Sequence, residues 1–493
     1  MTKIKRYSPL TMLFNIGKLF RNSFFFVIYL YVLKAGSESL LIKYGRIVFL
    51  ISIGLSLFSI IYKWFTHKYE LDHTSFHLYK GLFSKTERTI PFSKIQTVNR
   101  HTSLFHRMFK MTSIHFDTGM AGEDATVTFE VISQIEAERM EAHVRNADHG
   151  EAVHLDHAET EHKDSNRIIH FQPTRKDIIK ASFSSLSFLV LIPLIASFYY
   201  KINEIFHVDD TAGGFLEKIM GSWWIVTIVV IVILIASATF GIVRTFLKYG
   251  KYEISSDSNQ IYIRKGVIDE TAFSISKEKV QAIEIEQSLI KRLLGLAEVK
   301  LTSAGSLSSE EGTLEINTLY PFLPVNKAYE MVSDILPSYQ ITQEMIRLPK
   351  KSFWIRILWP SWFWLIATGA LFYFKPTILD MEWAWMFFSA ALLLCILILR
   401  LLDFFHTRYL INDQFIQFKK GALTTSLFVS KREKVIEVKV TRNIIQKMLG
   451  LASIETTNRG KPVHHSGVND VPVERANKFF QWYMGRKNEI RVK

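Results

Sequence analysis

Three stretches of this chain follow one spacing, and a chain that repeats itself has to be read as an array before any part is given a fold. Each stretch opens with a Tyr just after a long apolar run: Tyr69, Tyr252 and Tyr409. Each reaches a turn Gly (Gly81, Gly266, Gly421), and 13 residues later a Lys followed by a β-branched residue, at Lys94-Ile95, Lys279-Val280 and Lys434-Val435. An apolar anchor stands 10 residues past the Lys (Leu104, Leu289, Ile444), a base 13 past it (Arg107, Arg292, Lys447) and a β-branched residue 20 past it (Ile114, Val299, Ile454). Offsets that coincide at so many points mark three copies of one structural unit.

The apolar runs before the copies set the second constraint. A run of roughly 18 or more apolar residues is a membrane-span candidate. Six are expected, in three pairs: Asn22–Lys34, Arg46–Phe65, Ser182–Tyr200, Trp223–Val243, Phe353–Phe374 and Met381–Leu402. The first is the shortest, needing Leu10–Phe20 or Leu40–Ile42 to reach spanning length, and no small-residue cleavage site follows it. Every copy follows an even-numbered span, so all three copies lie on one side with the N-terminus. The flanks on that side carry 18 Lys and Arg, against five in the opposite loops. That bias predicts cytoplasmic copies in a cell-membrane protein. The single cysteine, Cys395, falls inside the last span and leaves no disulfide within the chain.

Membrane orientation absorbs much of the net charge of +14. The bases flank spans rather than forming a stripe with interleaved aromatics, which argues against nucleic acid. They suit anionic lipid head groups instead, at about 1 kcal/mol for each base near the surface. Trp223, Trp224, Trp354, Trp359, Trp362, Trp364, Trp383 and Trp385 lie near span ends, as interfacial anchors do.

Within a copy the pattern is β-rich. The second reads as strands over Gln260–Gly266, Ala272–Ser276 and Val280–Ile285, a short helical turn over Ser288–Gly295, and a strand over Ala297–Thr302. The third repeats this over Phe415–Gly421, Leu427–Ser430, Val435–Val440, Asn443–Gly450 and Ser453–Thr456. Amphipathic helices over Val131–Arg145, Pro324–Leu336 and Pro472–Met484 close the copies, the last two with Pro at the first helical position. The expected fold is membrane α-helical, six transmembrane helices in three pairs, plus three α+β β-barrel domains, each capped by a C-terminal helix. The expected boundaries are 1–65 (N-terminal segment and first pair), 66–146 (first domain), 147–181 (His- and acid-rich linker), 182–248 (second pair), 249–338 (second domain), 339–405 (juxtamembrane segment and third pair) and 406–493 (third domain).

The runs from Lys251 to Gly305 and from Arg408 to Gly460 resemble the bacterial pleckstrin-homology (PH) domain of the second type. Three such domains behind three span pairs are similar to the YdbT-like membrane proteins along essentially the whole chain. The first copy is the most divergent, with Lys110 where the others have Gly295 and Gly450, so its turn is expected to take another route. The resemblance implies cytoplasmic PH-like barrels, a membrane scaffold or binding role and no catalytic residue. It implies a smaller two-span PH-like membrane protein as partner, and tolerance of membrane-active antibacterial peptides in some members.

The sequence carries none of the patterns GxxxxGK[ST], HExxH, GxSxG or CxxC, so no enzyme and no cofactor are expected. His154 and His157, among acids in the stretch from His143 to His170, have metal-ligand spacing, but a solvated linker explains them better. His464 and His465 read as exposed loop residues. Transport is the alternative function, weakened because spans three to six carry no ionisable group near their centres. The candidate ligand-binding residues are the repeated bases Lys94, Arg107, Lys279, Arg292, Lys434 and Lys447, facing lipid phosphates or a partner peptide. The competing explanation is local ion pairing, with Glu278 and Glu433 adjacent to two of the lysines.

Overall fold

The structure, a computed structural model, describes residues 4–34, 36–37, 39–81, 85–95, 97–118, 126–149, 167–184, 223–303, 318–358, 361–374, 383–460 and 463–485. Each copy holds seven described strands in the same order. In the first they are β1 (Lys5–Arg6), β2 (Lys68–Leu71), β3 (Ser75–Lys80), β4 (Thr86–Pro91), β5 (Thr97–Thr102), β6 (Met111–Asp117) and β7 (Thr126–Ser133). The second has β8 (Ile168–Phe171), β9 (Glu253–Ser256), β10 (Gln260–Lys265), β11 (Glu270–Ser276), β12 (Val280–Gln287), β13 (Leu296–Ser303) and β14 (Thr318–Pro324). The third has β15 (Ile346–Arg347), β16 (Arg408–Ile411), β17 (Phe415–Lys420), β18 (Thr425–Lys431), β19 (Val435–Thr441), β20 (Leu451–Asn458) and β21 (His464–Pro472). The first strand of each set precedes the apolar helices and the second follows them, and the two pair antiparallel: Lys5 faces Tyr69, Ile168 faces Ser256 and Ile346 faces Tyr409. Both ends of each apolar segment are thus tied into one sheet.

The chain forms two compact units. One comprises Met1–Arg167 with Tyr262–Ser276, the other Ile168–Ile261 with Lys277–Lys493. In the first unit β1-β2-β3-β4 make one sheet and β5-β6-β7 form one end of a second, with the helix Gln134–His149 alongside. Phe76, Phe92, Ile114, Phe116, Phe129 and Met140 are fully buried between them. Phe76 meets Phe92 edge-on with centroids 4.9 Å apart and Phe116 at 4.8 Å. In the second unit the third copy repeats the plan, with β15-β16-β17-β18 at one end of a seven-stranded sheet, β19-β20-β21 as a sheet of three, and the helix Val473–Met484. Its core holds Tyr409, Ile416, Phe418, Phe428, Ile454 and Phe479.

The expected barrels do not close. In the first copy β5 does not turn back onto β4; its outer edge is taken by β11 of the second copy, in the same unit. In the second unit β12 likewise gives its outer edge to β18 of the third copy. Backbone N–H and C=O groups that a closed barrel would satisfy within one domain are satisfied by the next domain.

Six spans were expected; among the described residues three helices are long and apolar enough to cross a membrane. They are Leu40–Thr66, Lys350–Phe374 and Ala384–His406, with mean hydropathies of 1.9, 1.4 and 2.4. Leu40–Thr66 buries only Ile42 and Thr66, leaving its apolar surface outward as lipid contact requires. The first expected span is a helix, Leu10–Val27, running into a π-helical turn, Ile28–Leu33, but Lys18, Arg21 and Asn22 interrupt its apolar surface. The third lies almost entirely outside the described residues. The fourth is the helix Trp223–Tyr249, many of whose side chains also lie outside them.

Other details differ from expectation. Pro324 and Pro472 stand one residue ahead of the helices Val325–Ile335 and Val473–Met484, with ψ of 134° and 140°. They fix the approach to each helix rather than its first turn. His464 and His465 belong to β21, not to a loop, and His464 stacks on Phe428 with centroids 5.2 Å apart. Lys110 takes no other route: its φ of 54° matches Gly295 at 67° and Gly450 at 70°. The first copy accepts a left-handed Lys, at a cost of about 1 kcal/mol, to keep the turn.

Candidate functional site

The repeated bases sit on two local structures. A 3₁₀ turn (Phe92–Lys94, Lys277–Lys279, Arg432–Lys434) ends on the repeated Lys and delivers the chain into the fifth strand of each copy. That strand runs into a short helix (Leu104–Met108, Leu289–Leu293, Ile444–Leu449) whose fourth residue is the repeated Arg or Lys. A side-chain cap starts each helix, because a chain of five or six residues cannot hold a helix by its own hydrogen bonds. Ser288 Oγ accepts from Lys291 N at 3.3 Å, and Asn443 Oδ1 accepts from Gln446 N at 2.7 Å. Gln446 Oε1 returns the contact by accepting from Asn443 N at 3.0 Å, completing a capping box. The left-handed residue two past Met108, two past Leu293 and one past Leu449 stops the helix. Cap and stop together fix the direction of the base.

That direction is toward the next copy. Arg107 reaches across the β5–β11 pairing, its guanidinium 3.8 Å from the Glu270 carboxylate, and donates to Val267 O at 3.2 Å. Arg292 reaches across the β12–β18 pairing and donates to Thr425 Oγ1 at 2.9 Å. Glu270 and Thr425 occupy the same place, nine residues before the Lys of their own copies. The strand registers agree as well. Thr102 faces Glu270 and Thr97 faces Ile275, just as Gln287 faces Thr425 and Ala282 faces Ser430. Two junctions, one in each unit, therefore use one register and one clamp.

Lys434 also works at a junction, donating to Glu278 O of the second copy at 2.9 Å. Its distance to Glu433 is 4.0 Å, so ion pairing with the adjacent acid is marginal. The β12–β18 junction gains further polar links. Ser426 Oγ donates to Glu284 at 2.6 Å, and Ser430 Oγ and Asn458 Nδ2 donate to Gln281 O at 3.0 and 3.4 Å. Lys447, third of the series, is exposed. Lys94 and Lys279 close their 3₁₀ turns. His154 and His157 lie outside the described residues, and among those described no group of His, Cys, Asp and Glu is arranged to hold a metal.

Residues the spacing did not single out tie the third copy to its apolar helices. Arg356, nearly buried, pairs with Asp403 of the helix Ala384–His406 and lies 3.4 Å from Asp470 of β21. Gln446 Nε2 donates to Asp470 Oδ1 at 2.7 Å, and Gly421 N donates to Asp403 Oδ1 at 3.0 Å. A cavity of about 470 Å³ opens beside this network, lined by Arg356, Arg400, Asp403, Gln446 and Asp470 among others. In the first unit Phe14 of the helix Leu10–Val27 packs on Phe105 and His106, with centroids 5.5 and 4.8 Å apart. The short helices leave apolar side chains exposed: Leu104 and Met108 in the first, Leu289 and Leu293 in the second, and Ile444, Ile445 and Met448 in the third.

The Bacterial PH domain family matches the chain three times, over residues 23–148, 190–337 and 365–487, so each match takes in all or part of a pair of apolar runs as well as strands behind it. The UPF0699 transmembrane protein YdbT of Bacillus subtilis (strain 168) is 26% identical over 501 residues, covering 99% of each chain. No solved structure matches.

Proposed function

The chain belongs to the Bacterial PH domain family, and from that premise we propose a non-enzymatic, multi-pass membrane scaffold. Its PH-like domains face the cytoplasm and act by joining edge to edge with other PH-like domains. One observation carries this reading: two junctions built on the same register and the same basic clamp, Arg107 on Glu270 and Arg292 on Thr425. Bases that would be free to meet lipid phosphates on an isolated domain are here turned to a neighbouring domain. A smaller two-span protein with one PH-like domain is the partner chemistry this favours.

A second reading, contact with anionic lipid, is favoured by the exposed pairs Leu104 and Met108, Leu289 and Leu293, Ile444 and Met448 beside those bases. Apolar side chains flanked by Lys and Arg suit a membrane surface. In-cell crosslinking, mild-detergent purification of the full chain and mass spectrometry separate the two. A stoichiometric membrane protein carrying a PH-like domain is the expected result. Recovery of this chain with lipid alone overturns the scaffold reading.

A further inference from the structure

We propose that the outer edge of β19 receives the fourth strand of a PH-like domain on a separate polypeptide, antiparallel and in the register of the internal junctions. We further propose that charge excludes a second copy of this chain from that edge. The inference rests on the scaffold reading and names the surface and the chemistry of its partner.

β19 is the third member of the series β5, β12, β19. The first two give their outer edges to β11 and β18, while β19 ends the sheet β19-β20-β21. It nonetheless has the sequence of a covered strand, Val-Ile-Glu-Val-Lys-Val-Thr against Val-Gln-Ala-Ile-Glu-Ile-Glu in β12. Ile436 and Val440 are 42% and 38% exposed, where their counterparts Gln281 and Ile285 are 7% and 4%. Tyr483 Oη donates to Ile436 O, but no strand of the described residues pairs with this edge, and an apolar edge without a partner strand is a pairing template. Lys447, in the place of the clamping Arg107 and Arg292, has no side-chain partner among the described residues.

The occupant follows from the register. Carried forward, it sets the residue nine before the partner's Lys opposite Arg442 and within reach of Lys447. Glu270 and Thr425 hold that place internally, so the incoming strand carries an acid or a hydroxyl there. This chain's own β4 fails the requirement. It would bring Lys85 to Arg442 and Lys447 and set Arg88 opposite Lys439, and like charges directly opposite one another destabilise a strand pair.

The test uses two differently tagged full-length chains, co-expressed and oxidised in native membranes, both with Cys395→Ala. One carries Thr441→Cys and the other Thr86→Cys, which the register places opposite. With the natural β4 the disulfide-linked heterodimer is expected to be scarce. With Lys85→Glu and Arg88→Glu added beside Thr86→Cys its yield is expected to rise at least tenfold. Equal yields with and without the reversals overturn the charge exclusion. No crosslink with the reversals, in chains that remain monodisperse in detergent, overturns the docking edge. A photo-crosslinker at position 441 completes the test. If a PH-like partner co-purifies but is not trapped from position 441, the assignment to β19 falls while the scaffold reading stands. If no partner co-purifies and the charge-reversed trap still forms, the scaffold reading falls while the edge stands.

Discussion

Acid should open the second sheet of the first copy before that of the second. His115, on β6, faces Thr128 and Ser113 at 3.1 and 3.0 Å. Burial, then the nearby positive groups His101, Lys18 and His106, hold its pKa down to about 4. An unfolded His takes its proton near pH 6.5, so the unfolded chain binds more protons and acid favours opening. The stabilisation is complete above pH 6.5 and is lost as pH falls toward 4. At 1.36 kcal/mol per unit the whole effect is about 3 kcal/mol, and by pH 5.5 a little over 1 kcal/mol, or about tenfold in the opening equilibrium, is gone. His106 adds in the same direction: burial lowers its pKa, outweighing the opposite pull of its hydrogen bond to Glu130 O at 2.8 Å. The second copy has Lys300 in the place of His115, so β13 serves as internal control. Hydrogen exchange of the full chain in nanodiscs, corrected for intrinsic rates between pH 7.5 and 5, reads the effect on β6. His115→Gln keeps hydrogen-bonding capacity without titrating and should flatten most of the pH dependence. If β6 protection does not change with pH, or falls equally in His115→Gln, the argument is wrong.

Two further outcomes follow from single contacts. Arg356→Ala leaves Asp470, 5% exposed, without its cation and should destabilise the third copy by about 3–5 kcal/mol, read as faster proteolysis between residues 408 and 485. Arg356→Lys, which keeps the charge, should recover part of that loss. Gly421→Ala should cost more than about 1 kcal/mol, seen as a lower unfolding temperature, because φ is 114° and a Cβ would collide with Thr424 O; Gly54→Ala, with nothing within 4 Å, should be near neutral.

Much of one copy was legible because its signals are local. Alternation in Gln260–Lys265 and Phe415–Lys420, the turn glycines, and the caps Ser288 and Asn443 each act within a few residues, and those elements stand where the pattern places them. What was not legible is set by distance along the chain. Lys5–Arg6 pairs with a strand more than sixty residues on, and two residues carry no periodicity. The final strands Thr126–Ser133, Thr318–Pro324 and His464–Pro472 were missed, their alternation broken by Pro, Gly and bulges. Of the candidate bases, the spacing located Arg107 and Arg292 but not what they touch. Their partners lie 163 and 133 residues away in the chain, and only the shared position of Glu270 and Thr425 hinted at them.

β4 and β19 lack the cross-copy pairing of their counterparts, and they are not alike. An edge strand left open is a liability that proteins manage with charges, Pro or a cover. β4 carries Glu87, Arg88 and Pro91, with Lys85 just before it, and so is blunted in the usual manner. Its counterparts β11 and β18, which need no such protection because β5 and β12 cover them, read Glu-Thr-Ala-Phe-Ser-Ile-Ser and Thr-Ser-Leu-Phe-Val-Ser-Lys, without Pro. β19 shows the opposite treatment: an apolar alternation, one Lys and one Glu, and a clamp residue beside it. If both ends were merely tolerated edges, selection against aggregation would have blunted both. One end refuses strands and the other keeps every feature of a strand that is covered. On the docking proposed above, that asymmetry leaves β19 rather than β4 able to take up a strand, and only one whose charges differ from those of β4.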